Sequence, residues 1–219
     1  MIKPPKNKET IYLDHAATTY LDPRVEKVMR PFGGKIFGNP SGLYELGRVA
    51  NSELNGARRK VAGILKALPE NIIFTGGGTE SDNLAIFGVA RAHFKKGKHI
   101  ITTKIEHHAV LHPLEQLQKE GFEVTYLDVD SQGFVSPKKV LAAIRPDTIL
   151  ISIMYANNET GVIFPVEEIG AICRARGVPF HTDAVQAFGK IPFNLKKSNI
   201  DMLSLSGHKI HAPKGIGVL

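Results

Sequence analysis

The sequence predicts an α/β fold, a mostly parallel sheet with helices on both faces. Three observations carry this. The run Thr148-Ile-Leu-Ile-Ser-Ile-Met154 is apolar almost throughout rather than alternating, as strands covered on both faces are. Short runs of this kind alternate along the chain with stretches of helical period. The helical stretches carry their own start and stop signals. Asp22-Pro23 and Ser136-Pro137 open helices, and Gly121 and Gly177 close them.

In order, residues 1–20 read as an N-terminal arm, basic and proline-containing at first. Within it Ile11 to Asp14 is short and extended, and His15-Ala-Ala-Thr-Thr19 is small and polar. Residues 21–219 read as one domain. A helix runs from Asp22-Pro23 to about Arg30. Gly33-Gly34 and Gly38-Asn-Pro-Ser-Gly42 form a loop. From Tyr44 to about Leu68, Leu46, Val49, Ala50, Leu54, Ala57, Val61, Ile64 and Leu65 recur at helical spacing. Strands are expected at 71–75, 99–102, 122–127, 148–154, 178–182 and 201–206, with a last one beginning at Gly217. Helices are expected between them at 79–95, 108–120, 136–144 and 165–176.

Composition narrows the function classes. Among 219 residues, 42% are apolar and 22% charged, the balance of a globular chain with a sizeable core. One cysteine, Cys173, excludes an intramolecular disulfide and suits a reducing compartment, so a cytoplasmic location is expected. No apolar run is long enough to span a membrane, and the basic start has no apolar segment behind it. The net charge of +7 is scattered over short groups such as Arg58-Arg-Lys60 and Lys138-Lys139. No nucleic-acid motif accompanies it, so attraction of small anions is the expected consequence.

In a parallel sheet, ligands gather at the carboxyl ends of the strands. The polar residues there therefore carry the functional reading. After the first strand comes Gly76-Gly-Gly-Thr79, leading into a helix. It is either an ordinary glycine turn with a Thr cap or a phosphate cradle of backbone N–H groups at a helix N-terminus. It is not a P-loop, since no lysine follows at that spacing. After the second strand, Glu106-His107-His108 offers an imidazole that can stack on a planar ligand or move a proton. His108 and His112 have a zinc-compatible spacing, but no further ligand completes a site and none is expected. The buried strand ends in Asn157-Asn158 and the next in His181-Thr-Asp183, with Gln186 close behind. Last comes Ser206-Gly-His-Lys209, where a lysine beside small donors suits attack on a carbonyl, although most lysines in turns are merely solvated. A phosphate cradle, an imidazole, an amide, a carboxylate and an amine together match the needs of pyridoxal 5'-phosphate.

At these motifs the sequence resembles the cysteine desulfurases of the NifS and IscS type, within the class V aminotransferases. The stretches that carry the resemblance are Tyr12-Leu-Asp-His-Ala-Ala-Thr-Thr19, Gly38-Asn-Pro-Ser41, Phe74-Thr-Gly-Gly-Gly-Thr-Glu-Ser-Asp-Asn83, Glu106-His107, Asn157-Asn-Glu-Thr-Gly161, His181-Thr-Asp-Ala-Val-Gln186 and Ser206-Gly-His-Lys209. It implies the large domain of the pyridoxal phosphate enzymes of fold type I, here residues 21–219. It implies that Lys209 anchors the cofactor covalently, that Asp183 pairs with the ring nitrogen, and that Gln186 bonds the phenolic oxygen. His107 would stack on the ring and assist proton transfer. Gly78, Thr79, Ser206 and His208 would bind the phosphate, and Asn158 would lie beside cofactor and substrate. L-cysteine is the implied substrate, and alanine and a protein-bound persulfide are the implied products. A sulfur-acceptor scaffold protein and a second copy of the chain are the implied partners.

The family carries about as much chain again, with the small C-terminal domain, the nucleophilic cysteine and a substrate-binding arginine. That domain is expected to be absent here, and Cys173 reads as a packed structural thiol on an apolar helix face. Gly215-Ile-Gly-Val-Leu219 stops inside a strand-like run, so a truncated sequence or one half of a split enzyme is expected, partnered by a complementary C-terminal chain. The alternatives are a cofactor-binding or partner-binding fragment without turnover, or another class V activity such as selenocysteine lyase.

Overall fold

The computed structural model describes residues 11–192 and 195–219. The basic start of the expected arm, residues 1–10, lies outside the described residues.

Helices and strands alternate as the sequence pattern predicts. The elements are α1 (Pro23–Met29), α2 (Glu45–Leu65), β1 (Phe74–Thr75), α3 (Gly78–His93), β2 (His99–Thr103), α4 (His108–Lys119) and β3 (Glu123–Leu127). Then follow α5 (Pro137–Ala143), β4 (Thr148–Ser152), α6 (Val166–Arg176), β5 (Phe180–Asp183), α7 (Leu195–Ser198), β6 (Met202–Ser206) and β7 (Gly217–Val218). Among the described residues these strands form one sheet in the order β1-β7-β6-β5-β4-β2-β3. Pairing is parallel from β3 through to β6, and β7 alone runs antiparallel to both of its neighbours.

Successive strand residues point to opposite faces, and the core divides accordingly. Ile100 and Leu150 pack with Ile86 and Ala90 of α3 and Val110, Leu114 and Leu117 of α4. Their chain neighbours Ile101 and Ile151 pack with Ala62 and Leu65 of α2, Val140 of α5 and Val166, Ile169 and Cys173 of α6. Each of these fully buried aliphatic side chains contributes roughly 1.5–3 kcal/mol by leaving water.

The caps act as their residue types predict. Asp22 accepts from the N–H of Arg24, and Ser136 from that of Lys139. Gly121 (φ 86°) and Gly177 (φ 64°) take the left-handed turn that ends α4 and α6. Pro113 lies inside α4, where its missing N–H leaves the carbonyl of Ala109 without its helical donor. The side-chain amide of Asn83 on α3 fills that vacancy at 3.1 Å, tying the two helices together.

Two expectations are corrected. The strand expected over 71–75 is short, because Pro69 opens a 3-10 turn through Asn71 and the ladder is confined to Phe74–Thr75. The strand expected over 148–154 ends at Ser152; the N–H of Met154 turns away to the carboxyl of Glu106.

Candidate functional site

The carboxyl ends of β4, β5 and β6 open onto one cavity of about 520 Å³, a size that suits a small cofactor. Helix α3 enters it by its N-terminus, and α4 presents its capping residue His107. All nine residues singled out from the sequence line it: Gly78, Thr79, His107, Asn158, Asp183, Gln186, Ser206, His208 and Lys209. They come from five separate stretches of chain, and the parallel topology is what assembles them.

Lys209 lies in a 3-10 turn directly after β6. Its amine donates to the carbonyls of Ala16 and, at 2.8 Å, of Ala17. Partial burial lowers its pKa, against the raising influence of Asp14 and Asp183. A larger share of the amine is therefore uncharged than for a lysine in water. Asp183 closes β5 and is buried. Burial pushes its carboxyl up to about 6, while the N–H of Val185 and the charge of Lys209 oppose the rise.

His107 accepts at Nδ1 from the N–H of Ala109, 3.1 Å away. Burial, then Lys209, His108 and His112, lower its pKa, so the ring is neutral and carries its proton on Nε2. Gln186 donates its amide to the carbonyl of Ala16 at 2.8 Å and accepts from Lys190 at 2.6 Å. The two adjacent asparagines differ. Asn157 is buried and ties the loop after β4 together, its Oδ1 accepting from the N–H groups of Glu159 and Thr160. Asn158 stands on the cavity.

An anion site is built where α3 begins. Among the described residues no side chain caps this 16-residue helix, so its first N–H groups face the cavity mouth without a side-chain partner there. Thr79, Ser206 and His208 stand around them. A Cβ on Gly78 would come within 2.9 Å of Val185 Cγ2 and 3.4 Å of Ser206 Cβ, so only glycine leaves this cradle its shape.

The segment Asp14 to Thr19 is the part of the site that residue chemistry alone does not single out. The N–H and hydroxyl of Thr19 both donate to the carbonyl of His208, at 2.8 and 2.9 Å. Thr18 Oγ1 lies 3.0 Å from His208 Nδ1. Asp14, Ala16 and Ala17 thereby form a wall of the cavity. Asp82 was also missed. It lines the cavity from α3 and is almost fully buried. An acid in register with the apolar positions Ala85, Ile86 and Val89 is the signal that exposes it. His108 and His112 stack on each other, 4.8 Å between ring centres. Among the described residues no three His, Cys, Asp or Glu side chains group as metal ligands.

The donor set fits pyridoxal phosphate group by group: an amine, a buried carboxylate, a neutral imidazole and a helix N-terminus ringed by hydroxyls. The comparisons agree. The chain matches the family described as aminotransferase class-V over residues 11–219. The cysteine desulfurase IscS of Methanosarcina thermophila is 54% identical over 211 residues, which cover 96% of this chain and 52% of that protein. The cysteine desulfurase IscS of Clostridium botulinum is 52% identical over 213 residues, covering 97% of this chain and 53% of that protein. A solved structure of SspA in complex with cysteine superposes with a TM-score of 0.93 at 44% identity, covering 95% of this chain and 60% of that one. The chain spans about half the length of the curated relatives it matches. Its fold is that of the large domain of fold type I pyridoxal phosphate enzymes, and the chain belongs to the class V aminotransferase family.

Proposed function

We propose that this chain binds pyridoxal 5'-phosphate and provides the cofactor-holding part of a cysteine desulfurase. One observation carries the reading: nine residues from separate strand and helix ends meet on a single cavity of the right size. The domain proposed for this is residues 21–219, and residues 14–19 of the expected arm complete the cavity wall.

Bound there, the cofactor supplies an electron sink that lets bonds at the α-carbon of an amino acid break. The chain's own residues do the rest. Lys209 offers an amine whose partial burial eases the loss of its proton, suiting it as covalent anchor. Asp183 offers a carboxylate to the ring nitrogen and keeps it protonated. Gln186, whose amide already donates to the carbonyl of Ala16, would give its second N–H to the phenolic oxygen. Thr79, Ser206, His208 and the N–H groups opening α3 around Gly78 hold the phosphate. His107, neutral with its proton on Nε2, would cover the ring and hold or move a proton at a bound substrate. Asn158, on the cavity wall, would stand beside ring and substrate.

L-cysteine is the substrate favoured by the relatives' names. A sulfur-acceptor scaffold protein and a second copy, or a complementary C-terminal chain, complete the reading. One observation favours a second role for these 219 residues taken alone, cofactor binding without sulfur release. The single cysteine, Cys173, is buried on α6, and burial pushes its thiol up to about 12. It cannot take sulfur as a thiolate.

Titration of the chain with pyridoxal phosphate tests this. A visible absorbance band that Lys209→Ala abolishes, and that L-cysteine perturbs, is expected. No band, or an equal band in Lys209→Ala, sinks the assignment. Sulfide release from cysteine by the chain alone is expected to be nil; release that survives Cys173→Ala would overturn the view that the acceptor thiol lies elsewhere.

A further inference from the structure

At the floor of the cavity lies a buried polar layer, of which the roles above use only Asp183. It holds three acids, Asp82 on α3, Glu106 after β2 and Asp183 on β5, each at most 7% exposed. His181, also on β5 and on the same strand face as Asp183, sits among them with no exposure at all. Its Nδ1 lies 2.9 Å from Ser152 Oγ, and its Nε2 lies 2.9 Å from Ser204 Oγ and 3.5 Å from Asp82 Oδ1. Burial pushes this imidazole down to about 3, so it is neutral and offers Asp82 no positive partner.

The surroundings of Asp82 are therefore those of an uncharged group. Its hydrogen-bonding neighbour is the hydroxyl of Ser204 on β6. Among the described residues its Oδ1 has no hydrogen-bond partner. Besides the neutral His181, the titratable groups that act on it from the facing elements are Asp183 and Glu106, both acids. An orphaned carboxylate oxygen in such a place is far more costly than the oxygen of a neutral acid. Glu106 is satisfied by Thr103 Oγ1 at 2.7 Å and the N–H of Met154 at 3.1 Å, and faces the same layer. Only Asp183 has a cation near it, the amine of Lys209 across the cavity.

We propose that Asp82 is a positioning residue for Asp183: standing behind it as a neutral carboxylic acid, it leaves Asp183 as the single buried carboxylate of the layer, aimed at the cofactor's ring nitrogen. Closely placed acids in one dry site cannot all ionise, so one must keep its proton for another to carry charge. Asp82 is the member without a cation, and Asp183 the member with one. The value of the device rests on the cofactor reading given above, since it concerns the partner of the ring nitrogen. The protonation pattern itself is a property of the chain without cofactor.

The test is carboxyl NMR of the cofactor-free chain with isotope-labelled aspartate, from about pH 5 to about pH 8. One buried resonance should have the shift of a protonated acid at neutral pH and vanish in Asp82→Asn. A second should step near pH 6 and vanish in Asp183→Asn. In Asp82→Asn, a neutral isostere, the Asp183 midpoint should stay within about half a unit of wild type; in Asp82→Leu, which removes the polar group, it should rise by more than that. A carboxylate shift for Asp82 at neutral pH overturns the proposal. So does a fall of about a unit or more in the Asp183 midpoint in Asp82→Asn, or an unmoved midpoint in Asp82→Leu. Should the Asp82 variants not fold, the resonance remaining in Asp183→Asn decides: protonated at neutral pH supports the proposal, ionised refutes it. Cofactor titration of the same samples reports separately on the binding reading.

Discussion

Glu106→Gln should flatten the pH dependence of stability on the alkaline side of neutrality. Glu106 is buried, and its oxygens accept from Thr103 Oγ1 and the N–H of Met154. Burial pushes its pKa from 4.5 up to about 8, against the lowering effect of those two donors. The folded state thus holds this proton more tightly than the unfolded chain, so the contribution is fully present below about pH 4.5 and lost as pH rises to about 8. Asp183 acts in the same direction, but its window closes near 6. His181 acts oppositely. Its pKa is lowered from 6.5 to about 3, so its contribution is lost as pH falls through that range and is constant above 6.5. Burial, the largest cause of the raised Asp82 pKa, is the same in both proteins, and the Glu106 charge that the variant removes is the smallest. Between pH 6.5 and about 8 the difference therefore belongs to Glu106. At 1.36 kcal/mol per unit this amounts to about 2 kcal/mol. Urea unfolding of both proteins at a series of pH values measures it. Wild type should lose about 2 kcal/mol more than Glu106→Gln over that interval. Parallel curves would refute the assignment of a neutral Glu106 at pH 7.

Three further outcomes follow from single contacts. Gly78→Ala should weaken pyridoxal phosphate binding by about tenfold or more, because the new Cβ meets Val185 Cγ2 at 2.9 Å; equilibrium titration checks it, and wild-type affinity would show that the cradle has room. Cys173 should resist thiol-modifying reagents in the native chain and react only on unfolding, since it is buried with a thiol pushed up to about 12; labelling followed by mass spectrometry reads this, and rapid native labelling contradicts it. Thr19→Val should cost about 1–3 kcal/mol, because the hydroxyl donates to the carbonyl of His208 at 2.9 Å and accepts from the N–H of His211 at 2.7 Å; chemical denaturation measures the loss, and unchanged stability would mean that water replaces both bonds.

Most of the architecture was legible because its signals are local. The apolar run at 148–154, the caps Asp22 and Ser136 and the stops Gly121 and Gly177 each act within a few residues. The site was legible for a topological reason. Parallel strands end on one side of the sheet, so residues following each strand had to converge, as Asp183, Asn158 and Ser206 do. What escaped depends on long-range packing. Nothing local to Ala16 or Ala17 signals that their carbonyls will meet the amine of Lys209 nearly two hundred residues away. The antiparallel direction of β7 comes from pairing with both β1 and β6, not from its two residues. Asp82 was masked by the polar stretch Thr79-Glu-Ser-Asp-Asn83 in which it stands, which hides its register with Ile86 and Val89.

The central claim is that Lys209 is the residue to which the cofactor becomes attached. Loading the chain with pyridoxal phosphate, fixing the attachment by borohydride reduction and mapping the modified peptide tests it directly. The added mass should fall on Lys209 and disappear from the map of Lys209→Ala. Stoichiometric modification of the neighbouring Lys190 or Lys214 instead, or no modification of the folded chain, would contradict it.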